Sequence, residues 1–171
     1  AKRIGIYLFG VVSVCAGIVL CAKCGLGISP ISSWPYIMES VLPLSFGTLT
    51  MLFHLINIAF QYLAGKKLWN LKVLLQIPVA VLMGILIDVI KAAFQIDTTI
   101  VINQVAALGL SVFLTALGMA CMLSVDLIQN PPDGTVQVLS EMTGMEMGNM
   151  KLIYDLVMLV SSNLLSLIVL G

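Results

Sequence analysis

Residues 25–36 read GLGISPISSWPY. Two glycines, two prolines and three serines fall within twelve residues, between runs oily enough to be membrane helices. Glycine costs a helix backbone entropy and proline removes a donor, so a helix entering this stretch stops there. Either the stretch is a loop outside the membrane, or it is a helix broken inside it to build a site.

The rest of the chain sets the context. Of 171 residues, 60% are hydrophobic and 9% charged, and the mean hydropathy is +1.13. A soluble domain carries roughly a quarter charged residues, so this composition belongs to an integral membrane protein. The apolar runs lack the two-residue alternation of barrel strands, which leaves helices. Eight basic residues balance eight acidic ones, so the charge gives no reason to expect a nucleic-acid partner. Lys2 and Arg3 run straight into a first span too long for a signal-peptide core.

Five spans are expected: Ile4–Ala22, Phe46–Ala64, Val73–Phe94, Ile100–Leu123 and Asn149–Leu170. Each is near the roughly 20 residues that cross a bilayer core. Gly65-Lys66-Lys67 closes the second span, and QIDTT turns the chain into the fourth. With the N-terminus cytoplasmic, the inside holds Lys2, Arg3, Lys66, Lys67, Lys72 and Lys151, the outside Lys23 and Lys91. That bias predicts a cytoplasmic N-terminus.

Displaced by 101 residues, the chain matches itself. Gly17 meets Gly118, Leu26 meets Leu127, Pro30 meets Pro131, Gly47 meets Gly148, and MLFHLI (51–56) lies over LIYDLV (152–157). Three spans per unit is an odd number, so a second copy enters the membrane upside down, the layout of many secondary transporters. The expected fold is an all-α membrane protein, a single membrane domain over 1–171. Residues 1–98 are its first unit, and residues 99–171 are a second unit lacking its sixth span.

The opening stretch then has a counterpart in DLIQNPPDGTVQ, residues 126–137. Pro30 breaks the first and Ser32 or Ser33 restarts it; Pro131-Pro132 breaks the second and Asp133 or Thr135 restarts it. Short re-entrant helices are expected over 33–41 and 134–142. Irregular backbone at membrane depth persists where protein buries it or water lines it. Two half-helix starts approaching from opposite sides would make a central binding site for anionic groups or polar ligands. Its expected residues are Ser29, Ser32, Ser33, Asn130, Asp133, Gly134 and Thr135. The alternative reading leaves both breaks as surface loops.

Ionisable groups within spans are costly and mark function or pairing. His54 and Asp155 occupy equivalent positions, seven residues after the aligned glycines, which suits coupling or charge balance. A structural histidine and a near-surface aspartate are the plainer reading. Asn57 sits one turn beyond His54, within reach of the same cavity. Asp88 and Lys91, three apart, are expected to pair locally. Trp34 and Tyr36 serve as interfacial anchors or as ligand contacts. Met142, Met145, Met147 and Met150 are read as flexible packing.

Cys15 and Cys121 lie inside spans, whereas Cys21 and Cys24 form CAKC at the end of the first. A CxxC can be a redox pair or half a metal site, but no second pair or histidine cluster completes a metal site. No cofactor or metal is expected.

GLGISPISSWPYIMES, LPLSFGTLTMLFHLINIAFQYL, QIPVAVLMGILIDVI and NPPDGTVQVLSEMTG together resemble the YczE/YyaS/YitT-like bacterial integral membrane proteins. The resemblance covers about Arg3 to Asp155. It implies a bacterial inner-membrane protein of unassigned function, usually with a further apolar span, and assigns no substrate or site residue. The expected function is a small secondary transporter, or a transporter-like protein, for a small polar or zwitterionic solute. The lipid bilayer and that solute are its expected partners, with a homodimer left open. A membrane thiol oxidoreductase using Cys21 and Cys24, and a non-transporting scaffold subunit, are the competing readings.

Overall fold

The structure, a computed structural model, describes residues 2–64, 71–95 and 100–170. All regular structure among the described residues is helical, with no strand among them: α1 (Lys2–Lys23), α2 (Pro30–Val41), α3 (Phe46–Ala64), α4 (Leu71–Leu74), α5 (Gln76–Ala93), α6 (Val101–Val125), α7 (Pro131–Thr143) and α8 (Met147–Leu170). Five segments are long and apolar enough to cross a membrane: α1, α3, α4 with α5, α6, and α8. At about 1.5 Å per residue, the 22 residues of α1 reach across a hydrocarbon core of about 30 Å. The Gly65-Lys66-Lys67 stop and most of the QIDTT turn lie outside the described residues.

The helices approach through small residues. Where α1 crosses α6, Gly10 faces Gly118, and further along Gly17 faces Ser111 and Thr115, so the two run antiparallel. α3 crosses α5 at Gly47 and Gly84 in the same way. A Cβ at Gly47 would stand 2.1 Å from the Gly84 carbonyl oxygen. Lipid offers no hydrophobic drive to pair helices, so such close backbone contact supplies the packing energy. The core between α1, α3, α5 and α6 holds Val11, Val19, Phe46, Met83, Ile87 and Met122.

The short helices pack crosswise. α2 lies against α8, where Trp34 Nε1 donates to Ser161 Oγ at 2.9 Å. α7 lies against α3, where Thr135 Oγ1 donates to the Asn57 carbonyl at 3.2 Å. Trp34 thus fixes one helix to another. Ile31, in the first turn of α2, packs on the cluster of Val136, Met150 and Tyr154 formed by α7 and α8.

Both short helices start earlier than expected, at Pro30 and Pro131 rather than residues 33 and 134. A proline at the first helical position loses no hydrogen bond and arrives with helical φ, so it opens the helix instead of preceding it. The caps are therefore Ser29 and Asn130, and neither side chain caps the helix that follows.

The expected Asp88–Lys91 pair does not form. Asp88 turns to the start of α3, accepting from Gly47 N at 2.8 Å and from Ser45 Oγ at 2.5 Å. Backbone donors at a helix start reward a carboxylate more than a same-helix lysine does. Lys91 instead binds both Glu39 oxygens, at 2.5 and 2.6 Å, and sits 5.3 Å from the centre of the Phe46 ring. Lys23 donates to the Lys91 and Phe94 carbonyls at the end of α5. At the other side of the bundle Arg3 donates to the Val125 carbonyl, which puts the end of α6 beside the start of α1.

Candidate functional site

The second break builds a cavity. Asp126 closes α6 in the left-handed conformation at φ 45°, one that Asp and Asn accept more readily than other side chains. Residues 127–130 then lead to Pro131, and α7 leans on the last two turns of α3. Between α3, α4, α5, α6 and α7 lies a cavity of about 280 Å³. Its lining is part apolar, from Val73, Met119, Met122, Leu123, Ile128 and Val138, and part polar, from Gln61, Gln76, Gln129, Asn130, Asp133, Gln137 and Glu141. Lys72 and Asp126, both exposed and 3.3 Å apart, stand at its mouth on the side of the N-terminus.

Its floor is a pair of buried amides. Gln61 Nε2 donates to Gln76 Oε1 at 3.0 Å, and Gln76 Nε2 returns the bond to Gln61 Oε1 at 3.1 Å. Gln61 Nε2 also donates to the Pro131 carbonyl at 2.8 Å, tying the start of α7 to α3. A Cβ at position 134 would stand 2.4 Å from Gln61 Oε1, so Gly134 is the space this amide occupies. Each buried amide is satisfied by its partner, which removes the desolvation penalty that burial would impose.

Beside the cavity Lys151 joins two carboxylates, at 2.9 Å from Asp133 Oδ1 and 3.6 Å from Asp155 Oδ1. Tyr154 donates to Asn57 Oδ1 at 2.7 Å, linking α8 to α3 one level deeper. The Asn130 side-chain oxygen is buried and accepts no hydrogen bond.

Among the expected site residues, Asn130, Asp133 and Gly134 line this cavity. Thr135 is buried behind them, on the Asn57 carbonyl. Ser29, Ser32 and Ser33 do not line it: Ser29 Oγ donates to Ser32 Oγ at 3.1 Å, and Ser33 Oγ to the Pro30 carbonyl at 2.5 Å. His54 is buried in α3 with its Nδ1 unpartnered, and no hydrogen bond or ion pair links it to Asp155. Gln61 and Gln76 were not expected here. Their signal is an amide on the polar stripe Thr50, His54, Asn57, Gln61 of an otherwise apolar helix, and a second amide two residues before Pro78.

The CAKC thiols are separate: Cys24 is buried with its Sγ near the Cys21 carbonyl, and Cys21 is half-buried with its Sγ near the Gly27 carbonyl. Among the described residues no group of three or more His, Cys, Asp or Glu has metal-site spacing.

A family model described as a family of unknown function (DUF6198) matches residues 1–171, and the chain belongs to that family. No curated protein and no solved structure matches it.

Proposed function

We propose that this DUF6198-family chain is a secondary transporter, or a transporter-like membrane protein, that binds a small polar solute at the break between α6 and α7. The observation that carries the reading is the cavity. Non-helical backbone, two buried glutamines and a carboxylate surround about 280 Å³ that reaches one side of the bundle. That volume is at the small end for ligand pockets, which suits a solute of metabolite size or less.

The inverted repeat belongs to this reading, and three relations support it. α2 and α7 begin 101 residues apart, as do α3 and α8. The contacts are reciprocal, α2 on α8 and α7 on α3. At the α1–α6 crossing Gly10 meets Gly118 while Gly17 meets Ser111, and positions 10 and 111, like 17 and 118, are equivalent under the same displacement. A pseudo-twofold axis through that crossing accounts for all three. Transport would then proceed by rocking one unit against the other, so that the second break opens on the N-terminal side and the first on the opposite side. The narrower likeness to YczE/YyaS/YitT-like proteins, a cytoplasmic N-terminus in a bacterial inner membrane, and coupling through His54 and Asp155 are parts of the same proposal.

The test is counterflow in proteoliposomes against a panel of labelled amines, amino acids, amides and sugars. At least one solute should accumulate, and Val138→Trp, which fills the cavity from its lining, should abolish it. If no solute of the panel accumulates above empty liposomes, the reading fails.

A further inference from the structure

We propose that the solute moves together with a proton, and that His54 carries this proton between two cavities on opposite sides of the bundle. The inference deepens the transporter reading and rests on it. Besides the cavity at the second break, one of about 410 Å³ lies on the opposite side, among the ends of α1, α2, α5 and α8. The displacement of 101 residues relates the two. Ala22, Tyr36, Ile37 and Ser40 line the cavity on the opposite side, and their equivalents Leu123, Gln137, Val138 and Glu141 line the one at the second break. The end of a long helix and one face of a break helix thus shape the cavity on each side.

A polar stripe on α3 joins them. Thr50, His54, Asn57 and Gln61 recur every three or four residues, so they share one helix face, and all four are buried. Gln61 lines the cavity at the second break. At the other end Thr50 Oγ1 donates to the Phe46 carbonyl at 2.8 Å, and the Phe46 N–H donates at 3.1 Å to Oε1 of Glu39, which lines the opposite cavity. At about 1.5 Å per residue the stripe spans about 22 Å, most of a hydrocarbon core.

His54, the sole histidine of the chain, stands at its middle. The side chains of Thr50, Asn57 and Gln61 all have partners, whereas His54 Nδ1 is buried with none. An unpaired polar atom in the interior costs about 1–3 kcal/mol, so one kept at membrane depth points to a use. A proton carrier needs such an atom, because a nitrogen lone pair already engaged by a donor cannot take a proton. The titratable groups on the elements around α3 are engaged elsewhere. Glu39 of α2 holds Lys91 of α5, Asp88 of α5 holds the start of α3, and Asp133 of α7 and Asp155 of α8 share Lys151. Tyr154 of α8 holds Asn57, and Lys72 of α4 and Glu141 of α7 line the cavity at the second break. None of them is bonded to the imidazole, so no ion pair fixes its protonation state. As each cavity opens in turn, the polar face admits water to the ring. His54 takes a proton from water on one side and returns it to water on the other, and only the N–H bond forms and breaks.

The experiment uses proteoliposomes of the full chain with the pH dye pyranine trapped inside, given the same panel of amines, amino acids, amides and sugars. An inward proton gradient should drive accumulation of at least one solute, and the dye should report acidification in step with it. His54→Gln should keep counterflow, which needs no proton, and lose at least about tenfold of the gradient-driven accumulation and acidification. Because His54 is the only histidine, ring 15N NMR of tag-free, histidine-labelled protein in nanodiscs reads it alone. The imidazolium signal should appear as pH is lowered from about 8 to about 4. Counterflow without acidification in the parent protein, or acidification undiminished in His54→Gln, overturns the inference and leaves the transporter reading standing. Where His54→Gln loses counterflow as well, the NMR decides, and a ring that stays neutral across the range overturns the inference. Absence of counterflow for every solute sinks the transporter reading and the proton coupling together.

Discussion

Gly10 and Gly118 lie face to face where α1 crosses α6. A Cβ on Gly10 would stand 2.8 Å from the Gly118 carbonyl oxygen, and one on Gly118 would stand 2.6 Å from the Gly10 carbonyl oxygen. The two backbones touch because neither residue has a side chain. Gly118→Leu should therefore cost about 1–3 kcal/mol or separate the helices altogether, read as a lower unfolding temperature in detergent. Gly109, on the same helix with nothing within 4 Å of its missing Cβ, is the control. Gly109→Ala should be neutral or stabilise by up to about 1 kcal/mol. Equal effects at the two positions would contradict the crossing.

The Gln61–Gln76 pair predicts non-additive mutants. Gln61→Leu strands the Gln76 amide in the interior, at about 1–3 kcal/mol, while the Pro131 carbonyl keeps the Thr135 hydroxyl. Gln76→Leu likewise removes a partner from Gln61. Because the two losses share one pair of bonds, the double variant should be less damaging than their total by about 0.5–3 kcal/mol. Unfolding temperatures of the four proteins supply the cycle, and strict additivity would rule out the pair. Gly134→Ala should resemble Gln61→Leu, since its Cβ occupies the amide's place.

Asp88 holds the first turn of α3 from another helix. Asp88→Ala should cost about 0.5–2 kcal/mol, as loss of a helix cap does, whereas a local pair with Lys91 would predict almost no change. Serine at Ser45 should lose its value in the same background, so Ser45→Ala should cost less in Asp88→Ala than in the parent protein. Unfolding temperatures of these variants are the readout.

Much of this architecture is legible in the sequence because it depends on composition and punctuation. The span lengths come from uninterrupted apolar runs, and Pro30 and Pro131-Pro132 mark the two breaks, since proline ends one helix and starts the next. Giving the caps to Ser32 or Ser33 and to Asp133 or Thr135 starts the helices three residues late, while proline at the first helical position makes Ser29 and Asn130 the caps. Asp88 was assigned to Lys91 on local spacing; the choice of Gly47 over Lys91 depends on the α3–α5 crossing, a contact 41 residues away that spacing cannot reveal. Likewise Gln61 and Gln76 meet because Gly134 leaves room between α7 and α3. A glycine in a break reads as a breaker, and its role as empty space is visible once the helices are packed.

The central claim is that the two breaks are opposite doors of one site, open in alternation. The direct measurement uses a cysteine-free background carrying Asn130→Cys and Ser29→Cys together, in oriented membrane vesicles. A bulky impermeant maleimide is attached at position 130 from the N-terminal side. The reaction rate at position 29 with a second maleimide, applied from the other side, is then followed by intact mass. Wedging the second break open should slow labelling at the first by about tenfold, a coupling ordinary for linked sites. Labelling at position 29 at the same rate with and without the wedge would contradict alternation.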